Sequence, residues 1–300
     1  MRPTIHEREQ NARLSLAGLS LGDAFGEQFF HPDAAAWLAI RQVPPGPWKF
    51  TDDTAMALSL VGQLLKHGRI KCDELAEAFA QRYTAEPWRG YGGGATQLLE
   101  QIAAGVDWRS AGRRLFNGTG SYGNGGAMRV APVGAWFFED FSRAADEARR
   151  SALVTHSHIE GQAGAVAIAV AAAFLSQVRI AGITPTRAEF FSSILENLPA
   201  GKVHRNVATA AELDDTDLPD AVSKLGNDSR ISAQDTVGLT LWIAWRWRDS
   251  YSAALWQAAS AGGDVDTVCA IVGGLVALSA DQASIPADWL RAREALPQLG

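Results

Sequence analysis

Residues 163–175 form a thirteen-residue run without one polar or charged side chain, rich in alanine. As a helix this run is too short to cross a bilayer, which takes about 20 apolar residues. It reads instead as a helix buried on every side, and such a helix must be surrounded by others. Residues 268–278 are apolar almost all round as well. Elsewhere apolar residues recur at helical spacing. Ala57, Leu60, Val61, Leu64 and Leu65 share one helix face, and Cys72, Leu75, Ala76 and Phe79 begin another. Residues 240–247 hold Trp242, Trp245 and Trp247, the pattern of a packed helix near a surface or pocket. Alternating strand patterns are missing, so the expected fold class is all-α.

At 300 residues the chain could form one large domain or two ordinary ones. Pro and Gly mark loops at 43–47, 90–94 and 118–126, and no stretch has the character of an interdomain linker. Residues 1–300 are therefore expected to form one compact domain. The stretch 200–230 is polar, with Asp214, Asp215, Asp217 and Asp220, and reads as a surface excursion. The formal net charge of -6 argues against a nucleic-acid binder, because that binding depends on Lys and Arg. It leaves room for a small anion held in a local pocket. Two cysteines, Cys72 and Cys269, suit a reducing cytoplasm. Residues 1–10 are charged and lack the apolar core of a signal peptide. A cytoplasmic monomer without membrane contact is the expectation.

Two acidic clusters carry the first chemical signal. Thr51-Asp52-Asp53-Thr54 opens one apolar helix and Asp264-Val265-Asp266-Thr267, after Gly262-Gly263, opens another. Taken singly, each reads as helix capping, with Thr51 or Asp264 as the N-cap and acids complementing the helix dipole. Taken together, they place four carboxylates where two buried helices could meet. Such carboxylates repel and raise one another's pKa unless a cation neutralises them. Oxygen-only ligands favour hard cations, Mg²⁺ or Mn²⁺, over Zn²⁺. Two ions sharing bridging carboxylates could polarise both a water and a substrate oxygen.

Residues 118–129, Gly-Thr-Gly-Ser-Tyr-Gly-Asn-Gly-Gly-Ala-Met-Arg, form the most unusual segment. Its glycines let backbone N–H groups approach an anion. Ser121 and Asn124 offer hydrogen bonds, and Tyr122 offers a flat face. The P-loop lysine is absent, and a plain flexible loop is the alternative. In Thr155-His156-Ser157-His158, either histidine could touch a ligand or carry a proton, or Thr155 or Ser157 could simply cap the next helix. Asp23 and Glu27 stand four apart among glycines. One could act as general base, or the segment could be an acidic helix end whose glycines allow close packing.

These motifs, in this order, resemble the ADP-ribosylglycohydrolase family. The resemblance runs from Gly22-Asp23-Ala24-Phe25-Gly26 through Thr51-Asp52-Asp53-Thr54, the loop Gly120 to Arg129 and Thr155-His156 to Ala233-Gln234-Asp235-Thr236-Val237 and Asp264-Val265-Asp266-Thr267. It implies an orthogonal helical bundle with two Mg²⁺ or Mn²⁺ ions held by Thr51, Asp52, Asp53, Asp264, Asp266 and Thr267. It further implies that Gly120, Ser121, Tyr122, Gly123, Asn124, Gly125 and Met128 cradle ADP-ribose, with His156 beside it. The implied reaction is metal-dependent hydrolysis of the bond joining ADP-ribose to an acceptor, with Asp53, Asp264 and Glu27 as catalytic candidates. A mono-ADP-ribosylated protein, arginine-linked, is the first expectation for the substrate. Serine-linked ADP-ribose, O-acetyl-ADP-ribose, an ADP-ribosylated nucleic acid and a catalytically silent binding module are the alternatives. Two positions depart from the family pattern: Val265 replaces a threonine of the second metal motif, and Phe30 stands where many members carry a glutamate.

Overall fold

A computed structural model describes residues 3–213 and 216–299. Seventeen α-helices and no strand occur among the described residues, so the chain is all-α as expected. In chain order they are α1 (Ile5–Gly26), α2 (Ala34–Ile40), α3 (Asp52–His67), α4 (Cys72–Ala85), α5 (Gly93–Ala103) and α6 (Trp108–Arg114). Next come α7 (Gly125–Met128), α8 (Ala131–Trp136), α9 (Phe141–Leu153), α10 (Ile159–Ala181), α11 (Arg187–Leu195) and α12 (Lys202–Glu212). The last five are α13 (Leu218–Leu225), α14 (Ala233–Arg246), α15 (Tyr251–Ser260), α16 (Val265–Val276) and α17 (Ala287–Ala292).

The most extensive helix pair is α1 with α16. Its seam is built on Gly18, Gly22 and Gly26, one per turn of α1. A Cβ on Gly22 would lie 2.1 Å from the Cys269 carbonyl oxygen, and one on Gly18 would lie 2.4 Å from that of Gly273. One on Gly26 would lie 2.6 Å from Asp266 Cα. The two backbones therefore touch, and Asp23 is carried to the first turn of α16. The expectation of glycines for close packing is met.

The apolar run at 163–175 lies inside α10, which extends to 23 residues. By length and composition alone that helix would pass for a membrane span. Here Ala163 to Ser176 are all buried, and α10 packs against α7, α8, α9, α11 and α14. On α14, Trp242 and Trp245 are core residues rather than pocket residues; Trp245 stacks on Phe190 at 5.1 Å between ring centroids.

The reading of 200–230 as a surface excursion is corrected. The segment contains α12 and α13, which bury Val203, Val207, Ala210, Ala221 and Leu225. Its charged residues lie on the outer faces of two amphipathic helices, and this hid the apolar positions between them. Asp214 and Asp215 lie outside the described residues.

Substituting Gly22→Ala should cost about 1–3 kcal/mol, the usual penalty for overpacking. Gly62 of α3 has nothing within 4 Å of an added Cβ. There Gly62→Ala should stabilise by about 0.5–1 kcal/mol. Urea midpoints of both variants check the pair, and equal effects would refute the seam.

Candidate active site

α3 and α16 both begin at one cleft of about 460 Å³. Asp52, Asp53, Asp264, Asp266 and Thr267 line it together with Ser121, Tyr122, Gly123, Asn124, Gly125, Met128 and His156. The fold thus brings together both acidic clusters and most of the glycine loop. Three of the expected residues stand apart from the lining. Thr51 lies just behind it, and Glu27 is half-buried near Asp264. Gly120 is a turn residue at φ 73°, pressed so close to Ser157 that a Cβ would lie 1.9 Å from Oγ.

Capping and site-building coexist at α3. Thr51 is the N-cap, its Oγ1 accepting from the Asp53 backbone N–H. Asp23 in turn accepts from Thr51 N, Thr51 Oγ1, Thr54 N and Thr54 Oγ1. This buried carboxylate is thus the clasp between α1 and α3, and its lone pairs are committed to holding the helix start. It is not a general base at the cleft. Burial still lifts its pKa to about 6 against the lowering effect of those bonds.

The acids facing the cleft are crowded and dry. Burial, then repulsion from Asp23 and Asp264, pushes Asp52 up to about 7. Asp266 is pushed up to about 9 by burial and then by Asp264. Asp53 is held well above the carboxylate range by burial and then by Asp266. Asp53 Oδ2 receives long hydrogen bonds from Thr51 Oγ1 at 3.3 Å and Thr267 Oγ1 at 3.4 Å. Its Oδ1 is buried without a hydrogen-bond partner. An orphaned carboxylate oxygen among like charges, with Thr51 and Thr267 hydroxyls beside it, fits a hard divalent cation. Among the described residues, no group of three or more His, Cys, Asp or Glu side chains stands in an arrangement that could hold a metal ion as it is, so an ion would need these side chains to draw together. Val265 lies within α16 and is buried, so the departure at that position leaves both aspartates and Thr267 in the cleft.

Arg129, which the sequence reading placed in the motif but gave no role, is fully buried at the cleft floor. It donates to Thr155 Oγ1 at 2.7 Å and to the Ser151 carbonyl, and lies over the Phe79 ring. Burial drives its pKa down to about 9. Thr155 Oγ1 stands 2.7 Å from His156 Nδ1 but 3.4 Å from the Ala152 carbonyl. Thr155 thus anchors the Nδ1 edge of the ring, and Nε2 faces Gly123 and Gly125. Burial and then Arg129 drive His156 down to about 3, so it is a neutral imidazole rather than a proton carrier. His158 is the N-cap of α10, accepting from Glu160 N, a place expected for Thr155 or Ser157.

Phe116 and Ile231 also line the cleft, both exposed and at φ 51° and 48°. Positive φ in these residue types leaves no local sequence signature. Asp228, buried at φ 67° within the polar stretch, was likewise missed. Phe30, at the position where an acid is usual, stands 54% exposed.

The sign of the pH dependence follows from these shifts. Asp52 and Asp266 have folded pKa values above their unfolded ones, so the folded chain binds more protons and its stability falls as pH rises towards about 9. His156, depressed when folded, acts oppositely but only below about pH 6.5. In EDTA the melting temperature should therefore fall between about pH 7 and pH 8.5. A flat profile across that window would refute the crowding of acids.

The model of the ADP-ribosylglycohydrolase family matches residues 3–299. The ADP-ribosylhydrolase ARH3 of Mus musculus is 28% identical, the alignment covering 93% of this chain and 86% of that protein. The ADP-ribosylarginine hydrolase Tri1 of Serratia proteamaculans is 25% identical over 95% of this chain and 75% of its own length. A solved structure described as an ADP-ribosylglycohydrolase-related protein complex superposes with a TM-score of 0.67 at 25% identity, covering 96% of this chain and 94% of that one. The chain belongs to the ADP-ribosylglycohydrolase family.

Proposed function

We propose that this chain is a Mg²⁺-dependent hydrolase that removes ADP-ribose from a mono-ADP-ribosylated protein, with arginine as the modified side chain. The observation that carries this reading is that both acidic clusters and the glycine loop line one cleft. Thr51, Asp52, Asp53, Asp264, Asp266 and Thr267 would hold two Mg²⁺ ions, Mn²⁺ being an alternative. The bound ions would supply Lewis acidity at the ribose hydroxyls and lower the pKa of a water.

The remaining steps belong to the chain's own groups. Backbone N–H groups of the loop 121–125 and the His156 ring would receive the diphosphate and ribose oxygens. Tyr122 and Phe116, both exposed at the mouth, offer aromatic faces to a flat base. Thr51 and Asp23 fix the start of α3, so Asp52 and Asp53 meet the ligand in one orientation. Glu27, its pKa raised by burial and by Asp23 and Asp264, is the group offered for proton transfer. In the hydrolysis, water oxygen bonds to the anomeric carbon and the bond to the acceptor nitrogen breaks. The water proton passes to that nitrogen. A cationic guanidinium suits an acid-rich cleft, and Tri1 is named for the arginine linkage.

A second reading, a silent ADP-ribose-binding module, draws on Phe30 in place of an acid and on Glu27 lying outside the cleft lining. One assay separates the two: release of free ADP-ribose from arginine-, serine- and acetyl-linked substrates with Mg²⁺ and then with EDTA. Release from the arginine linkage that EDTA stops is the expected outcome. Release from another linkage reassigns the acceptor, and tight binding without release favours the silent module.

Asp53→Asn and Asp264→Asn should each lower Mg²⁺-dependent release by at least about 100-fold while far-ultraviolet circular dichroism stays unchanged. Full activity in either variant would sink the metal assignment.

A further inference from the structure

Asp228 has no part in the mechanism above, yet it is a fully buried acid at the back of the cleft. It sits between α13 and α14, in a left-handed conformation with φ 67°. Asn124 Nδ2 donates to Asp228 Oδ2 at 2.7 Å and to Asp264 Oδ2 at 2.8 Å. Both amide hydrogens are thus committed to carboxylates, which fixes which end of the Asn124 amide is nitrogen. Its Oδ1 has no hydrogen-bond partner among the described residues, and Asn124 lines the cleft. Thr236 Oγ1 donates to the other oxygen of Asp228, and the Asp228 backbone N–H donates to the Asp235 carbonyl at 3.0 Å. Both ends of this acid are held from α14.

The neighbouring Asn227 ties the same turn to the second acidic cluster. Its Nδ2 donates to the Ala261 carbonyl at 2.9 Å. Gly263, at φ 77°, is packed so tightly that a Cβ would fall 1.7 Å from the Asn227 carbonyl oxygen. One short turn therefore clamps the glycine loop through Asn124 and the approach to α16 through Gly263. A left-handed, buried acid is costly to keep, and such costs concentrate where geometry must be fixed.

We propose that Asp228 is a positioning residue: acting through the Asn124 amide, it orients the carboxylate of Asp264 for metal and leaves the Asn124 oxygen to accept a ligand hydroxyl. This rests on the reading of Asp264 as a metal ligand. Carboxylates and amides that hold a ligand in place typically change metal affinity about 10–100-fold when removed. Asp228→Asn keeps an acceptor for Thr236 and tolerates the left-handed backbone, but sets an amide N–H against the N–H of Asn124.

The test is a double-mutant cycle of Asp228→Asn and Asn124→Ala, read by calorimetric titration of the whole chain with Mg²⁺. Asp228→Asn should weaken Mg²⁺ binding by about 10-fold with the melting temperature little changed. The double variant should bind no more weakly than Asn124→Ala alone, because both act through one contact. Wild-type affinity in Asp228→Asn, or losses that add in the double variant, would overturn the proposal. If Asp228→Asn does not fold, Asn124→Ala alone decides, and wild-type affinity there is equally fatal. No Mg²⁺ binding by the unmodified chain would instead bring down the metal reading itself, and this proposal with it.

Discussion

The site depends on contact between two helix backbones. Gly18, Gly22 and Gly26 let α1 lie directly on α16, leaving no room for a methyl group at any of the three positions. That contact puts Asp23 level with the first turn of α16. Asp23 then collects the N–H groups and hydroxyls of Thr51 and Thr54, and so brings the start of α3 to the same place. Three helices are joined by one glycine seam and one carboxylate. Dispersion and sterics fix the first joint, and hydrogen bonding to a buried acid fixes the second.

A consequence is that two helix N-termini converge on four cleft-facing carboxylates. The dipoles favour negative charge there, but burial and mutual repulsion win, since Asp52, Asp53 and Asp266 all have raised pKa values. Arg129 offsets only part of that charge: it pulls against the rise at Asp52, but its hydrogen bonds go to Thr155 and Ser151 and burial depresses it. The structure therefore holds an electrostatic debt at the cleft, and it lies where the proposed cations would bind.

The helical fold was legible because helical spacing and the apolar run at 163–175 are local patterns, and α3, α4, α10 and α16 lie where those patterns end. The two acidic clusters and the glycine loop were legible for the same reason: each is contiguous. What the sequence could not show was direction. Asp23 and Glu27 have similar local contexts, yet one is buried as a clasp and the other is half-buried beside Asp264. Arg129 is one arginine among many until its burial against Phe79 is seen. Asp228 belongs to a polar stretch that reads as surface, and only the packing of α12 and α13 onto α14 carries it inward. Its left-handed conformation, like that of Ile231, is imposed by tertiary contacts that outweigh local preference.

The protonation of His156 divides the cleft in a further way. An imidazole held near a pKa of about 3 keeps the same charge throughout the neutral range. Without metal, Asp52 and Asp266, at about 7 and about 9, change charge within or just above that range. In the metal-free cleft a change in surrounding acidity therefore alters the acids and leaves His156 as it was, whereas a bound divalent cation would hold the acids ionised. Metal binding and acidity are thereby coupled at the acids alone: protons and a divalent cation would compete for Asp52 and Asp266, while His156 stands outside that competition.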